Sequence, residues 1–411
     1  MENIGQYITK YVKGKTPKQL FEQQINGSEP YLSPDYLRNK ANPEFYGIPT
    51  TKTVQVEDGE VIVLWDGSNA GEVFVSKKGI LASTMVKLEF DKEELSKDYY
   101  SYSFQYLEYF IKAKTAGSGI PHADKGVIKR LNFFKPPKPE QTAIATILSK
   151  VDEAILATQN SIKAAEKLKK SLMQNLLSGK LKPDGTWRTD EEFIMTKIGL
   201  LPKDWQVKTI KEICTQVTDG EHTTPERSDS GFYLLSARNI KNGYLDLSDV
   251  DYVPEKELKR IQKRCNPISG DILISCSGTI GNVCIVPEGL NAGMVRSAAL
   301  IKLKKEEIEP DYLELILQSD PLQIQMKISV ASSVQGNIFQ GAIKKLRIPY
   351  PPLKSERDNI SNQIKSVMNY ANEKQTKVLT LKRLKKSLMQ NLLTGKVRVD
   401  VEKILELCRE K

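Results

Sequence analysis

The chain has 411 residues, 39% of them hydrophobic and 27% charged, which is enough apolar material for two or three folded domains. No apolar run is long enough to span a bilayer, and the hydrophilic start MENIGQYITKYVKGK does not have the pattern of a signal peptide. A cytoplasmic protein is therefore expected. The cysteines show no CxxC spacing, which argues against a disulfide framework and a thiolate metal site, and we expect them to be buried. They are Cys214, Cys265, Cys276, Cys284 and Cys408.

The net charge of +10 favours a polyanionic partner, but most of the excess lies near the C-terminus. Lys and Arg minus Asp and Glu gives +2 for residues 1–138, +1 for 139–178, 0 for 179–198, 0 for 199–352 and +7 for 353–411. Nucleic-acid binding by the two large segments would therefore depend on local clusters. A solvated basic helix and tail is the alternative interpretation of the charge.

One decapeptide, LKKSLMQNLL, occurs at Leu168–Leu177 and again at Leu384–Leu393, 216 positions later. The match continues on both sides, so that Lys167 to Asp184 agrees with Arg383 to Asp400 at 13 of 18 positions. A repeat with a period of half the chain indicates two large similar units.

Each decapeptide ends a long stretch without Gly or Pro, in which apolar residues recur every three or four positions. This periodicity predicts two amphipathic helices with a coiled-coil-like seam, each preceded by prolines and followed by Gly-Lys. Antiparallel packing of the two helices would bury both seams, although core helices of a single globule are an alternative. The predicted segments are domain 1 (1–138), a central spacer helix (139–178), a linker (179–198), domain 2 (199–352), a second spacer helix (353–394) and a C-terminal tail (395–411).

The segments before the two helices resemble one another in order. GVIKRLNFFKPP (126–137) matches GAIKKLRIPYPP (341–352), and VEDGEVIVLWDGSNAGEVFV (56–75) has the layout of PISGDILISCSGTIGNVCIV (267–286). The second pair predicts a strand, a Gly-rich loop and another strand. The fold class predicted is therefore mixed α/β, with two similar domains, two long antiparallel helices and an internal pseudo-twofold repeat.

Several stretches resemble the specificity (S) subunit of type I restriction-modification systems, over essentially the whole chain. They are DGTWRTDEEFIMTKIGLLPKDW, TDGEHTTPE, YLLSARNIKNGYL, SGDILISCSGTIGNV and LKKSLMQNLLSGK. The first domain departs from the family pattern because it lacks an LPKDW entry segment. The C-terminal VEKILELCREK is a candidate to take that place.

The resemblance implies a non-catalytic DNA-recognition subunit, in which each domain reads one half of a bipartite, asymmetric site in double-stranded DNA. It also implies that the helices dock two methyltransferase subunits, and that endonuclease/translocase subunits can join them. S-adenosylmethionine would then bind to the methyltransferase partner, with no cofactor and no metal on this chain. Its implied setting is cytoplasmic.

Bases are read by hydrogen-bonding side chains on fixed loops, while Lys, Arg and backbone amides hold phosphates. For any single candidate, a solvated loop residue is the alternative. In domain 1 the candidates are Lys15, Thr16, Ser68, Asn69, Lys77, Lys78, Lys112, Lys114, Ser118 and His122. In domain 2 they are Thr218, Glu221, His222, Thr223, Arg238, Asn239, Lys241, Ser277, Thr279, Arg296, Gln335 and Asn337.

The repeated decapeptides also suggest a docking face, because methionine is an adaptable side chain common at docking surfaces. Filling of gaps along the helices is the alternative role. The candidate docking residues are Leu172, Met173, Leu176, Leu388, Met389 and Leu392.

Two other functions compete with this interpretation. A coiled-coil scaffold without a DNA role would also need long helices. Salt-sensitive DNA binding would count against this alternative, because phosphate contacts release counterions. A self-sufficient methyltransferase would bind S-adenosylmethionine by itself. The loops DGSNAG and SGTIGN lack both the GxGxxG layout and a GK[ST] ending, so they do not indicate a nucleotide site.

Overall fold

A computed structural model describes residues 1–38, 42–114, 121–331 and 336–409. Its contacts divide the chain into two compact units. Unit 1 comprises residues 1–160 and 375–411, and unit 2 comprises residues 161–374. Each unit therefore contains one of the predicted domains together with a part of each long helix.

Short strands outnumber helices in the described parts of both domains. In unit 1 they are β1 (Glu2–Asn3), β2 (Ile8–Lys13), β3 (Leu20–Phe21), β4 (Glu29–Leu32), β5 (Tyr46–Gly47), β6 (Gln55–Val56), β7 (Val61–Leu64), β8 (Val73–Val75), β9 (Gly79–Leu81), β10 (Met85–Phe90) and β11 (Asn132–Phe133). In unit 2 they are β12 (Phe193–Thr196), β13 (Gly199–Pro202), β14 (Gln206–Thr209), β15 (Cys214–Asp219), β16 (Phe232–Leu235), β17 (Ile240–Lys241), β18 (Tyr244–Leu245), β19 (Asp251–Val253), β20 (Ile272–Ser275), β21 (Val283–Ile285), β22 (Ala292–Met294), β23 (Ala298–Leu303) and β24 (Arg347–Tyr350).

The helices range from single turns to two of 39 residues. They are α1 (Pro34–Leu37), α2 (Lys97–Lys112), α3 (Lys125–Lys129), α4 (Lys138–Leu176), α5 (Ile210–Ile213), α6 (Glu255–Gln262), α7 (Pro310–Gln318), α8 (Asp320–Ala331), α9 (Gln340–Lys345), α10 (Lys354–Leu392) and α11 (Val401–Arg409). Short 3₁₀ segments cover Ile4–Gln6, Asp190–Glu192 and Ala237–Asn239.

The main sheet of unit 1 has the strand order β2-β10-β7-β8 with antiparallel neighbours. All four residues of its inner strand β7 are buried. Because successive side chains of a strand point to opposite sides, both faces of β7 are covered. Val61 and Val63 lie in a core with the α2 tyrosines. Ile62 and Leu64 lie in a second core, together with residues of the five-stranded sheet β3-β5-β4-β9-β6. This double burial explains the continuous apolar run VIVL.

Unit 2 repeats that main sheet as β15-β23-β20-β21, again antiparallel. Here Ile272 and Ile274 face one core, and Leu273 faces another. The second sheet is smaller, with the order β19-β16-β22. The predicted internal repeat is therefore confirmed in the main sheets.

Helices α4 and α10 begin and end close to the predicted limits of 139–178 and 353–394. Each is followed by a glycine in the left-handed region, Gly179 with φ 71° and Gly395 with φ 72°, as is common where a helix stops. The last leucines of each decapeptide enter a domain core. Leu176 and Leu177 lie in the core of unit 2, and Leu392 and Leu393 lie in the core of unit 1.

The two helices pack antiparallel within each unit. In unit 1, the Lys385 ammonium lies 2.8 Å from the Asp152 carboxylate, while Arg398, beyond the end of α10, pairs with Glu140 at the start of α4. In unit 2, Leu172 and Leu176 pack with Ile360 and Ile364 in one core. These contacts confirm the predicted fold class, a mixed α/β protein with two similar domains and two long antiparallel helices.

A glutamate in the first turn of each long helix is held by an arginine from the segment that follows the other helix. Glu140 of α4 receives hydrogen bonds from Arg398 Nε at 2.7 Å and Nη2 at 2.6 Å. Glu356 of α10 receives one from Arg188 Nη2 at 3.0 Å and one from Trp205 Nε1 at 3.3 Å. Arg398, which precedes VEKILELCREK, thus makes in unit 1 the kind of contact that Arg188 makes in unit 2, and the role of VEKILELCREK itself stays a prediction.

The Arg398–Glu140 pair predicts a pH-dependent contribution to stability. Hydrogen bonds from Arg398 hold the pKa of the nearly buried Glu140 carboxyl below its ordinary value, despite the opposing effect of burial. The contribution is therefore fully present above the unfolded pKa of about 4.3 and is lost as pH falls through the lower folded pKa. Urea unfolding should show wild type more stable than Arg398→Ala at pH 6, with the difference shrinking below about pH 4. A difference that stays constant or grows on acidification would contradict this assignment.

Four cysteines are buried and unpaired, as expected: Cys214, Cys265, Cys276 and Cys284. Burial raises the pKa of the last three thiols to about 12, so they are protonated at neutral pH. The side chain of Cys408 lies outside the described residues.

Within the described part of the chain, no helix combines the length and apolar character needed to cross a membrane.

Candidate nucleic-acid interface

The predicted loops of the two domains follow the same backbone scaffold. Strands β2 and β15 each lead into a glycine with no room for a side chain, since a Cβ on Gly14 or Gly220 would lie 2.1 or 2.2 Å from a carbonyl oxygen. Equivalent amides then donate equivalent hydrogen bonds. Gly14 N donates to Met85 O in unit 1, as Gly220 N donates to Ala298 O in unit 2. Trp65 N donates to Thr84 O, as Cys276 N donates to Ser297 O. Ala123 N donates to Trp65 O, as Ile338 N donates to Cys276 O.

This register identifies positions that correspond between the domains. Lys13 corresponds to Asp219, each just before the close-packed glycine, and Asp66 corresponds to Ser277 in the Gly-rich loop. His122 corresponds to Asn337, and Lys125 to Gln340. The scaffold is therefore conserved within the chain, while the polar side chains that it presents differ.

In unit 1, these positions form an ion-paired cluster. Asp66 accepts a contact from Lys13 Nζ at 3.0 Å and lies 2.6 Å from His122 Nδ1. Lys13 and His122 are more than half exposed, whereas Asp66 is mostly covered. Burial acts to raise the pKa of Asp66, but the hydrogen bonds to His122 and Lys13 outweigh it and hold that pKa below its ordinary value. The carboxylate is thus an ionised anchor beneath two exposed nitrogen groups.

Other candidates surround this cluster in unit 1. Lys15, Ser68 and Asn69 are exposed. Thr16 Oγ1 lies 3.1 Å from both the Tyr31 hydroxyl and Ser83 Oγ. Ser68, Asn69 and Asp66 also line a cavity of about 720 Å³. The Lys13–Asp66 contact joins the end of β2, just before Lys15 and Thr16, to the Gly-rich loop.

The predicted lysines of unit 1 have unequal environments. Lys77 is half-buried over the Tyr36 ring and donates to the Tyr36 carbonyl at 3.1 Å, and burial lowers its pKa. Lys78 lies near Glu29, and Lys112 pairs with Glu108 at 3.7 Å. Lys114 is exposed. Ser118 lies outside the described residues.

In unit 2, the corresponding cluster is centred on Asp219. Its carboxylate is contacted by His222 Nε2 at 2.8 Å, by Arg264 Nη2 at 2.9 Å and by the Gln340 side chain. Burial acts to raise the pKa of Asp219, but the hydrogen bonds from Arg264, His222 and Gln340 outweigh it and hold that pKa below its ordinary value. The Arg264 and His222 side chains are about half exposed.

The remainder of this loop is internally bonded. Glu221 accepts hydrogen bonds from the amides of His222 and Thr223, both at 3.0 Å, and from the Thr223 hydroxyl at 2.9 Å. It also lies 3.2 Å from Arg260 of α6. The amide of Arg296 donates to the Glu221 carbonyl, which places this exposed arginine beside the loop.

Two predicted residues of domain 2 have internal roles. Asn239 is 1% exposed, and its side-chain amide donates to the carbonyls of Asp246 and Asp249, so it braces the 236–249 loop. Thr218 is buried in β15. Both side chains are occupied within the domain and do not present hydrogen-bonding groups at its surface.

The other domain 2 candidates lie closer to the surface. Arg238 pairs with Asp251 at 2.8 Å and Asp249 at 3.6 Å. Thr279 is exposed, and the remaining three described candidates are partly exposed: Lys241, Ser277 and Asn337. Gln335 lies outside the described residues.

Sequence reasoning did not select the residues that organise the two clusters. Asp66 and Asp219 occur in quoted motifs, but an acidic residue is not an obvious choice for a surface that meets phosphates. Arg264 lies 45 positions from Asp219 and carried no local signal. The two acids could have been found by asking which carboxylate pairs with each of the two histidines, His122 and His222.

Each decapeptide also lines a groove. In unit 2, a cavity of about 520 Å³ is lined from α4 by Lys169, Lys170, Met173 and Gln174. In unit 1, a cavity of about 640 Å³ is lined from α10 by the same side chains one repeat later, Lys385, Lys386, Met389 and Gln390. The helix walls differ at one repeat position, which is Glu166 in unit 2 and Lys382 in unit 1, and the opposite walls include Leu200 and Leu322 in unit 2 and Tyr109 and Phe110 in unit 1.

The six predicted docking residues divide into two groups. Leu172, Met173, Leu388 and Met389 are half-buried and pack against the cores, and the two methionines also line the grooves. Leu176 and Leu392 are 0% and 5% exposed, so they anchor the helix ends inside the domains. In the described residues, no group of His, Cys, Asp and Glu has an arrangement that could hold a metal ion.

Comparison with known proteins identifies the family of this scaffold. The model of the type I restriction modification DNA specificity domain matches the chain twice, over residues 3–167 and 202–386. The chain belongs to this family. Both matches begin in a domain and continue into the long helix that follows it, so the family unit coincides with the internal repeat. The resemblance inferred from the motifs is confirmed.

Related proteins agree with this assignment. The type I restriction enzyme MjaVIII specificity subunit of Methanocaldococcus jannaschii is 32% identical over 404 residues, which covers 96% of this chain and 92% of the relative. The EcoBI specificity subunit of Escherichia coli is 22% identical, covering 89% and 78% of the two chains. These relatives are specificity subunits, as the predicted non-catalytic role requires.

Solved structures share the fold. The S subunit of a type I system from M. genitalium aligns with a TM-score of 0.62 at 17% identity, covering 95% of both chains. A chain from a structural study of complex assembly and conformational transition in the type I R-M system aligns with a TM-score of 0.54 at 14% identity, covering 96% of this chain and 97% of that one.

Proposed function

We propose that this chain directs a type I restriction-modification complex to an asymmetric, bipartite site in double-stranded DNA, with each domain reading one half. The observation that carries this proposal is the matched scaffold with unmatched side chains. The same backbone hydrogen bonds position Lys13, Asp66 and His122 in unit 1 but Asp219, Ser277 and Asn337 in unit 2. Because bases are distinguished by their hydrogen-bonding edges, equal poses with different donors and acceptors suit two unlike half-sites.

The repeated grooves extend the proposal to protein partners. Each presents two lysines, a methionine and a glutamine at identical repeat positions. Two copies of one partner need two equivalent surfaces, and we assign these grooves to two methyltransferase subunits. S-adenosylmethionine would bind to those subunits in the cytoplasm, and endonuclease/translocase subunits could join the assembly.

Genomic methylation provides the direct test. The chain is co-expressed with its methyltransferase partner, and single-molecule sequencing maps modified adenines against cells with the methyltransferase alone. We expect a motif of two unlike half-sites with a fixed gap, present only with the chain. If the two proteins co-purify as a folded complex and no new motif arises, the proposal is wrong and a scaffold without a DNA role is the better account.

A further inference from the structure

The Asp219 cluster has a geometry that surface stability does not explain. Three side chains from three separate parts of domain 2 meet one carboxylate: His222 from the first loop, Arg264 from just beyond α6 and Gln340 from α9. Exposed ion pairs typically contribute little to folding, in the range of about 0–1 kcal/mol. Arg264 and His222 are about half exposed, so holding them in place is better explained by what they present at the surface.

The carboxylate pre-arranges the arginine. A free arginine loses considerable rotamer entropy when it is fixed on a ligand, and prior anchoring reduces that loss. Arg264 Nη2 donates to Asp219 Oδ1 at 2.9 Å and lies 3.0 Å from His222 Nε2, which itself donates to Asp219 Oδ2 at 2.8 Å. A guanidinium binds a planar pair of acceptors through Nη2 together with Nε or Nη1, so the second N–H of Nη2 and one of its neighbours form the edge that Arg264 can still present.

The charge of the cluster favours a base over a phosphate as the target of Arg264. Phosphate binding depends on net positive charge, which the neighbouring Asp219 carboxylate largely cancels. The cancellation of net charge does not remove the ability of the guanidinium N–H groups to donate directed hydrogen bonds. In the major groove, guanine offers the acceptors O6 and N7 side by side, and a bidentate arginine is the commonest specific contact to them.

We propose that Arg264, positioned by Asp219, is a specificity-determining residue of domain 2 that reads the O6/N7 edge of a guanine. This inference rests on the proposed function, since it assumes that domain 2 reads DNA. Unit 1 builds its cluster differently: the carboxylate is Asp66 in the Gly-rich loop, and its partners are Lys13 and His122. The acid thus occupies a different scaffold position in each domain, which contributes to reading different half-sites.

The test compares methylation motifs of the intact complex with wild-type chain, Arg264→Ala and Asp219→Asn. With Arg264→Ala, we expect one G·C pair of one half-site to become degenerate, with the other half-site unchanged. Discrimination at that pair should fall by about 5- to 150-fold, the value of a good bidentate contact. Asp219→Asn should relax the same position to a smaller extent.

Lys259→Ala is the matched control, because Lys259 lies on α6, is 71% exposed and pairs with Glu255. Its motif should equal that of wild type. Two results with Arg264→Ala would overturn the inference: an unchanged motif, or degeneracy at a pair other than G·C. A wild-type motif without any G·C pair would also overturn it. If the wild-type chain yields no bipartite motif, the proposed function fails instead.

Binding of the purified complex to short duplexes covers a variant that no longer supports methylation. The affinity ratio between the cognate duplex and one with the G·C pair replaced should be large for wild type and close to one for Arg264→Ala. A ratio unaltered by the substitution would contradict the assignment, whatever the absolute affinity.

Discussion

Replacing Arg188 by alanine is expected to lower the free energy of unfolding of unit 2 by about 3–5 kcal/mol, because it strips a nearly buried carboxylate of its cation. The Arg188 side chain is only 5% exposed, and its partner Glu356 is 12% exposed. Its guanidinium also donates to the Gly179 carbonyl at 2.8 Å and lies over the Trp205 ring. One side chain thus ties the end of α4, the start of α10 and the entry segment together.

Urea unfolding of the full chain, with hydrogen exchange to assign the loss to unit 2, measures this effect. Lys182→Ala is the matched control, since Lys182 pairs with Glu192 in the same segment but both side chains are about one-third exposed. Its effect should stay below about 1 kcal/mol. The stability loss of Arg188→Lys should fall between those of the two alanine variants, because lysine keeps the positive charge but lacks the several N–H donors of the guanidinium. Equal stabilities of Arg188→Ala and Lys182→Ala would show that the contact is not structural.

Truncating Leu392 to alanine is expected to destabilise unit 1 by about 2–5 kcal/mol, the usual range for a leucine removed from a packed core. Leu392 is 5% exposed and lies in the same core as Leu148 of α4. Three residues earlier, Met389 is half-buried and lines the groove assigned to the methyltransferase. Met389→Ala should therefore change stability less and weaken co-purification of the partner more.

The two variants separate anchoring from docking within one decapeptide. Unfolding of unit 1 and the amount of methyltransferase retained on the purified chain are measured for both. Leu176→Ala and Met173→Ala repeat the comparison in unit 2, where Leu176 is fully buried and Met173 lines the groove. Full stability of Leu392→Ala with loss of the partner would instead return Leu392 to the docking face.

The long helices were predictable because their determinants are local. A leucine pattern with a helical period, prolines before the first turn and a glycine after the last are all read from neighbouring residues. The predicted limits of 139–178 and 353–394 accordingly lie within two residues of α4 and α10. The duplication was predictable for a different reason, since ten identical residues repeat at Leu168 and Leu384.

The roles of individual side chains required the tertiary structure. Asn239 was a plausible base-reading residue in a polar stretch, yet it is buried and bonded to two carbonyls. Leu176 and Met173 lie in one decapeptide, but only their placement against domain 2 separates an anchor from a groove residue. Burial depends on which distant segments pack on a residue, and a single sequence does not specify those contacts.

The sequence by itself determined the duplicated architecture, the two helices and the family, because each is encoded by local periodicity or by identity between segments. Only the tertiary structure decided which polar groups act together. Asp219 and Arg264 are 45 residues apart in the chain, and their carboxylate and guanidinium meet at 2.9 Å after β15 and the segment following α6 have packed into one domain. Such a contact arises from the three-dimensional packing of the domain, where sequence distance and spatial distance are unrelated.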